Sequence, residues 1–154
     1  MKLNLGCGSK KLEGYINIDL YRDDADMNID LRHGLPYPDG SVEEIFASHI
    51  IEHFSRKEWP IVIQDWYRVL AIDGKIHLEC PEISKIAIDL LTGNDIELSI
   101  MKLYGAQEAF GDGRGEYHKN GFTKELLRRD LEKVGLKILD INVFGDNLVV
   151  DAVK

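Results

Sequence analysis

The sequence is poor in cysteine, with Cys7 and Cys80 the only two in 154 residues. Neither their number nor their spacing suggests a disulfide framework or a zinc knuckle, so buried thiols in a reducing compartment are expected. No apolar run is long enough to span a bilayer. No charged segment followed by an apolar core opens the chain, so no secretory leader is read and a cytoplasmic location is expected. Basic charge is also scarce: 19 Lys and Arg face 27 Asp and Glu, a formal net charge of −8. Counterion-driven binding to nucleic acid needs a basic face, and this balance argues against such a partner despite small clusters at Lys10-Lys11 and Arg128-Arg129. Repeats, low-complexity tracts and Pro/Ser-rich linkers are absent.

What remains is an ordinary globular composition, 44% apolar and 30% charged, at one domain's length. Strand and helix patterns alternate, which predicts an α/β fold with a mostly parallel sheet. Lys2-Leu3-Asn4-Leu5 reads as a first strand that runs into Gly6-Cys7-Gly8. Tyr15-Ile16-Asn17-Ile18-Asp19 alternates in period two and reads as a second, and Met27-Asn28-Ile29-Asp30 as a weaker third. Glycine and proline punctuate residues 33–41, and residues 42–48 form a fourth strand.

Ile63, Trp66, Tyr67 and Leu70 recur at i, i+3, i+4 and i+7, a helical stripe over residues 59–70. Ser55 and Glu58 have capping-box spacing. Pro60 would then fall inside the helix, so a separate turn at 55–58 is expected, with Pro60 in the helix's first turn. Asp73-Gly74 closes that unit before a fifth strand at 75–80. A helix is expected over 83–91, and 92–121, rich in glycine, reads as an irregular lid or substrate loop. Thr123 N-caps a further helix that Gly135 closes. Two strands joined at Gly145-Asp146-Asn147 complete a terminal β-hairpin.

The residues with chemistry cluster at strand ends. Small residues at Gly6-x-Gly8 let a ligand approach the backbone. A dinucleotide site would need a third glycine, where Lys10 stands, and a helix facing the pyrophosphate. Only about nine residues separate the first two strands, too few for a crossover helix, so a ligand without a pyrophosphate fits better than NAD. Asp19, ending the second strand, can accept hydrogen bonds from two ribose hydroxyls. Asp30 ends the third and could meet an adenine amino group. His49-Ile-Ile-Glu52-His53 has the literal spacing of an inverted zinc-peptidase motif, in which Glu52 would be the base. That reading needs a helix, and this segment follows directly from a strand. Tyr117-His118 could line a substrate pocket, while His77, Trp59 and Trp66 read as structural.

Taken in order, these segments resemble a known family. Leu3-Asn4-Leu5-Gly6-Cys7-Gly8 is similar to the first motif of the class I S-adenosylmethionine-dependent methyltransferases. Leu35-Pro36-Tyr37-Pro38-Asp39-Gly40-Ser41-Val42, followed by Ala47-Ser48-His49-Ile50-Ile51-Glu52-His53-Phe54, resembles the family's fourth-strand region. Arg68-Val69-Leu70-Ala71-Ile72-Asp73-Gly74-Lys75 resembles its helix-to-fifth-strand turn, and the closing hairpin its antiparallel last strand. Two positions depart: Asn4 stands where the family usually has an acid, and Lys10 where it has a small residue. Asn4 can still hydrogen-bond the loop.

The resemblance implies a Rossmann-like methyltransferase fold, one domain over 1–154, with S-adenosylmethionine as cofactor. It implies that Leu5, Gly6, Cys7 and Gly8 hold the methionine part, with Lys10 or Lys11 near its carboxylate. Asp19 and Leu20 would hold ribose, Asp30 and Leu31 adenine, and Ser48 and His49 would sit beside the methyl. His49 and His118 are the candidate bases, needed only if the acceptor loses a proton during attack. The transfer itself requires no metal. The stretch Tyr117-His118-Lys119-Asn120-Gly121-Phe122-Thr123 is similar to methyltransferases of surface-glycan gene sets, so a small-molecule, sugar or glycan-type acceptor is expected. Helices that cover the cofactor in many relatives have no counterpart before the first strand, leaving 92–121 or a second subunit of a homodimer to close the site. Three other readings stay open: a non-catalytic S-adenosylmethionine-binding module, the zinc peptidase and a dinucleotide reductase.

Overall fold

Among the described residues six strands make one sheet: β1 (Lys2–Leu5), β2 (Ile16–Ile18), β3 (Val42–Ser48), β4 (Leu70–Pro81), β5 (Lys137–Phe144) and β6 (Asn147–Val153). Their spatial order is β2-β1-β3-β4-β6-β5. The chain is seen here in a computed structural model that describes residues 1–107 and 117–154. The first four strands pair in parallel, and β6 inserts antiparallel between β4 and β5. The expected α/β architecture, a mostly parallel Rossmann-like sheet with a C-terminal antiparallel hairpin, is therefore what the chain adopts.

Alternation builds the core. Leu3, Leu5, Ile45, Ala47, Ile76 and Leu78 are all at most 1% exposed and belong to the three central strands. Helix α1 (Trp59–Val69) carries Trp59 and Trp66 into this core as an edge-to-face pair with centroids 6.0 Å apart. Phe122 packs on Trp59 from the connection before α4 (Lys124–Lys133), at 5.5 Å. The turn before α1 forms as its sequence predicts. Ser55 N donates to Glu58 Oε2 and Glu58 N to Ser55 Oγ, at 2.7 and 3.3 Å, and Pro60 occupies the first turn of α1. Thr123 caps α4 through the Leu126 N–H. The α4 cap residue is Val134, and Gly135 follows it at φ 104. His77 is structural as expected, stacked on Phe46 and bonded to Asp151.

Three expectations need correction. Met27-Asn28-Ile29-Asp30 is not a strand: it makes only an isolated parallel bridge between Ile18 and Met27. Side chains take the hydrogen bonds a ladder would use, since Asp26 Oδ2 accepts from Asn17 N and the Asn28 amide donates to the Asp19 carbonyl. Strand β4 begins at Leu70, before the Asp73-Gly74 turn, because Leu70 pairs with Val42 and a register shift absorbs the turn. The stretch 92–121 is not irregular throughout. After α2 (Ile83–Thr92), Gly93 and Gly105 bracket a helix α3 (Ile96–Tyr104). Residues 108–116 of that expected lid lie outside the described residues.

Candidate active site

Because the parallel strands point the same way, their carboxyl ends gather at one edge of the sheet, where open α/β folds bind ligands. A cavity of about 310 Å³ lies there, within the size range of small-molecule sites. From β1 it is lined by Gly6 and Gly8, and from β2 by Asp19 and Leu20. Asp30, Leu31, His49 and His53 close further sides. Two segments that the sequence placed far apart thus share one wall.

The glycine turn follows from backbone conformation. Gly6 and Gly8 have φ 66 and 51, the left-handed region that side chains with a Cβ resist. A Cβ on Gly6 would lie 2.6 Å from Ile50, whereas one on Gly8 would meet nothing within 4 Å. No helix separates β1 from β2. The turn is instead held by two buried amides that stand on neighbouring strands. Asn4 Nδ2 donates to the Lys10 carbonyl and to Asn17 Oδ1, at 2.8 and 2.9 Å. Asn17 Oδ1 also accepts from the Leu12 N–H. Asn4 therefore does for the loop what the departure from an acid left open. Asn17 carried no motif signal, although a polar residue buried in a parallel sheet must find a partner.

Asp19 locks the turn to the end of β2. Its Oδ2 accepts from the Gly8 N–H and its Oδ1 from the Tyr21 N–H, both at 2.9 Å. A carboxylate oxygen has two acceptor directions, so each keeps one for a ligand hydroxyl. Asp30 is differently engaged. It caps the 3-10 turn Leu31–His33 through the Arg32 N–H and holds the Arg32 guanidinium in a two-pronged pair, with contacts of 2.6 to 3.0 Å. The Arg32 hydrogen bonds hold its carboxyl below the usual carboxylate range. Its side chain is thus committed to Arg32, and the pairing was invisible in the sequence.

His49 leaves β3 in the left-handed region, φ 55, with its N–H donated to the Glu79 carbonyl at 2.9 Å. This places its ring at the cavity, 3.3 Å by Nδ1 from Glu52 Oε1. The adjacent Glu52 carboxylate lifts the His49 imidazole above its ordinary pKa, against the opposing effect of burial. Residues 51–53 form a single 3-10 turn. His49 and His53 therefore do not share a helix face, and the zinc-peptidase geometry that their spacing suggested does not form.

Some expected residues stand behind the cavity wall. Leu5 and Cys7 are buried, and burial first, then Asp19, raises the Cys7 thiol pKa. Ser48 donates its hydroxyl to Glu79. His118 also faces away: it is bonded by Nδ1 to the Lys102 carbonyl at 2.6 Å and lines a separate, far smaller cavity with Glu52 and Asn120. Lys10 lies over the Phe46 ring and Lys11 pairs with Asp24, neither among the cavity residues. Conversely, Tyr21, Arg32, Phe54 and Lys119 do line the cavity and had no assigned role. Tyr21 and Arg32 each follow a singled-out aspartate by two residues, a signal that strand-end loops supply several ligand contacts at once.

The residues present fit a nucleoside with an amino-acid tail. The turn backbone is open at Gly8, a carboxylate with spare acceptor directions stands beside it, and a half-apolar slot continues past Leu20 and Leu31. Among the described residues, no helix is long and apolar enough to cross a membrane.

Residues 21–78 match the family model described as a methyltransferase domain. No curated protein matches the chain in sequence. Among solved structures, an S-adenosylmethionine-dependent methyltransferase from Methanosarcina mazei aligns with a TM-score of 0.74 at 18% identity, over 99% of this chain and 91% of its own. One from Archaeoglobus fulgidus aligns at 0.67 and 18% identity, over 99% and 85%. The 1,6-didemethyltoxoflavin-N1-methyltransferase of Burkholderia thailandensis, solved with 1,6-didemethyltoxoflavin and S-adenosylhomocysteine, aligns at 0.66 and 12% identity, over 99% and 70%.

Proposed function

We propose that this chain, which carries a methyltransferase domain on the class I S-adenosylmethionine-dependent methyltransferase fold, transfers a methyl group from S-adenosylmethionine to a small-molecule, sugar or other non-nucleic-acid acceptor. The observation that carries the reading is the Gly8 N–H to Asp19 bond, which puts the glycine turn and the β2 carboxylate on one cavity. When bound, S-adenosylmethionine supplies a methyl on a sulfonium, whose leaving group is a neutral thioether.

The chain's part is alignment and exclusion of water. Leu5, Gly6, Cys7 and Gly8 hold the methionine portion through backbone groups, which accounts for Leu5 and Cys7 acting while their side chains are buried. Asp19 accepts both ribose hydroxyls, and Leu20 packs beside the sugar. Asp30 acts as a cap that sets Leu31, whose backbone N–H and side chain meet adenine. Ser48, tied to Glu79, fixes the strand end from which His49 reaches the acceptor side. His49 takes a proton only where the acceptor must lose one during attack. Tyr117 and Lys119 give the acceptor side an aromatic and a cationic group, consistent with a polar acceptor such as a sugar.

Calorimetry with S-adenosylmethionine, with NAD as control, tests the donor half of this reading. One tight site for the donor and its demethylated product, and none for NAD, is expected. A screen of sugar and small-molecule acceptors for release of S-adenosylhomocysteine tests the other half. Binding of NAD in preference to the sulfonium donor overturns the reading; donor binding without turnover on any acceptor class reduces it to a binding module.

A further inference from the structure

Glu52 is 1% exposed, yet neither carboxylate oxygen has a hydrogen-bond partner among the described residues. Two imidazole nitrogens stand near it among the described residues, His49 Nδ1 at 3.3 Å and His118 Nε2 at 4.0 Å from Oε1. A carboxylate taken out of water without hydrogen bonds is strongly disfavoured unless a positive partner sits against it. The same small cavity also borders Asn120, whose buried Nδ2 is likewise without a partner.

Two histidines converge on this carboxylate. One ligating atom from each of Glu52, His53 and His118 lies within 4.8 Å of the other two. Both rings are oriented from behind by backbone carbonyls: His53 Nδ1 lies 3.1 Å from the Tyr117 oxygen and His118 Nδ1 2.6 Å from the Lys102 oxygen. A carbonyl can only accept, so each Nδ1 donates, and Nε2 is the nitrogen through which each ring would ligate. An outer carbonyl fixing tautomer and ring plane is the support that metal-ligating histidines use.

We propose that Glu52, His53 and His118 form a binding site for a zinc-class divalent cation. Two imidazoles and one carboxylate, with a position left over, are a zinc donor set. Such ligands stand about 2.0–2.2 Å from the metal and so about 3.4 Å from one another. Binding therefore draws the three groups inward by roughly 1 Å relative to their present spread. The cation supplies a direct partner for carboxylate oxygens that the His49 contact at 3.3 Å leaves without a hydrogen bond. It also clips residues 117–120 onto the Ile51–His53 turn, to which the Lys119 and Asn120 N–H groups are already bonded through the Glu52 carbonyl, at 2.8 and 3.1 Å. His53, Tyr117 and Lys119 line the large cavity, so the clip stiffens its acceptor-side wall. The site differs from the peptidase spacing in the sequence: Glu52 is a ligand rather than a base, and His118 replaces His49. It stands independently of the methyl-transfer reading.

The test uses the full chain, stripped with a chelator and dialysed, with no methyl donor present. Zinc chloride is titrated by calorimetry, and cobalt(II) by visible absorption. One equivalent of zinc, an intense four-coordinate cobalt spectrum and a raised melting temperature are expected. Glu52→Gln and His118→Asn should each weaken zinc by more than the roughly 100-fold that loss of an outer partner alone can cause, and His77→Asn should not. Imidazole NMR of the unsubstituted chain gives a readout independent of the variants' folding: zinc should move the His53 and His118 resonances and leave those of His33 and His77. Absence of a stoichiometric site, equal zinc affinity in folded Glu52→Gln and His118→Asn, or resonance shifts confined to His33 or His77 would overturn the proposal.

Discussion

Replacing Asp19 by asparagine keeps the side chain's volume and removes one of its two acceptors. The two oxygens accept from Gly8 N–H and Tyr21 N–H, each at 2.9 Å. An amide can satisfy one of these; its NH2 group then faces the other N–H, donor against donor. A hydrogen bond to a charged group contributes about 1.5–3 kcal/mol when buried, and Asp19 is only half-buried, so the loss of stability is about 1–2 kcal/mol. At this chain length that lowers the melting temperature by roughly 2–8 °C. The effect on the donor is larger in kind. Ribose hydroxyls would lose a charged acceptor, a further 1.5–3 kcal/mol or so, which is about a tenfold to 150-fold rise in Kd. Calorimetry with S-adenosylhomocysteine, run well below the melting range, separates the two effects, because an unfolded fraction lowers the stoichiometry and not the affinity. An Asp19→Asn chain that melts lower but binds with unchanged Kd would show that the carboxylate is only a brace for the turn, and the ribose assignment would fail.

Gly6→Ala should destabilise by about 2–4 kcal/mol, because it combines left-handed backbone strain with overlap against Ile50, whereas Gly8→Ala, free of overlap, should cost only about 1–2 kcal/mol; urea midpoints check the difference. His49→Asn, chosen because asparagine tolerates the left-handed φ 55, should leave donor affinity unchanged and reduce turnover, and lost donor binding with normal turnover at saturation would remove His49 from the acceptor side. The Glu58 carboxyl is held below its ordinary pKa by the Ser55 N–H, then by the Ser55 hydroxyl. A depressed folded pKa stabilises above the unfolded value and is lost as pH falls through the folded one. Glu58→Gln should therefore flatten the fall of melting temperature on acidification below about pH 4.5, and an unchanged slope would contradict the capping role.

How much of the site could be read in the chain depended on how local each relation is. Gly6, Gly8 and Asp19 were legible because strand ends and left-handed turns carry their own residue signals. Ser55, Glu58 and Pro60 were legible because a cap and a helix start are decided within a single turn. Met27 to Asp30 misled for the converse reason: its pattern fits a strand, but side chains of Asp26 and Asn28 take the hydrogen bonds of the ladder. Helix α3 was hidden by the glycines at its two ends, which read equally well as a loop.

The sequence by itself determined the alternation of strand and helix, the antiparallel close, and the glycine turn facing a carboxylate, since periodicity and backbone conformation are written in short windows. Only the tertiary structure decided that Asp30 is occupied by Arg32, that His118 turns from the large cavity, and that it meets Glu52 and His53 instead. The two outcomes for His118 depend on where residues 117–122 lie against α1 and the Ile51–His53 turn. That placement is set by the packing of Phe122 on Trp59 and by the Lys119 and Asn120 bonds to Glu52, contacts between residues far apart in the chain.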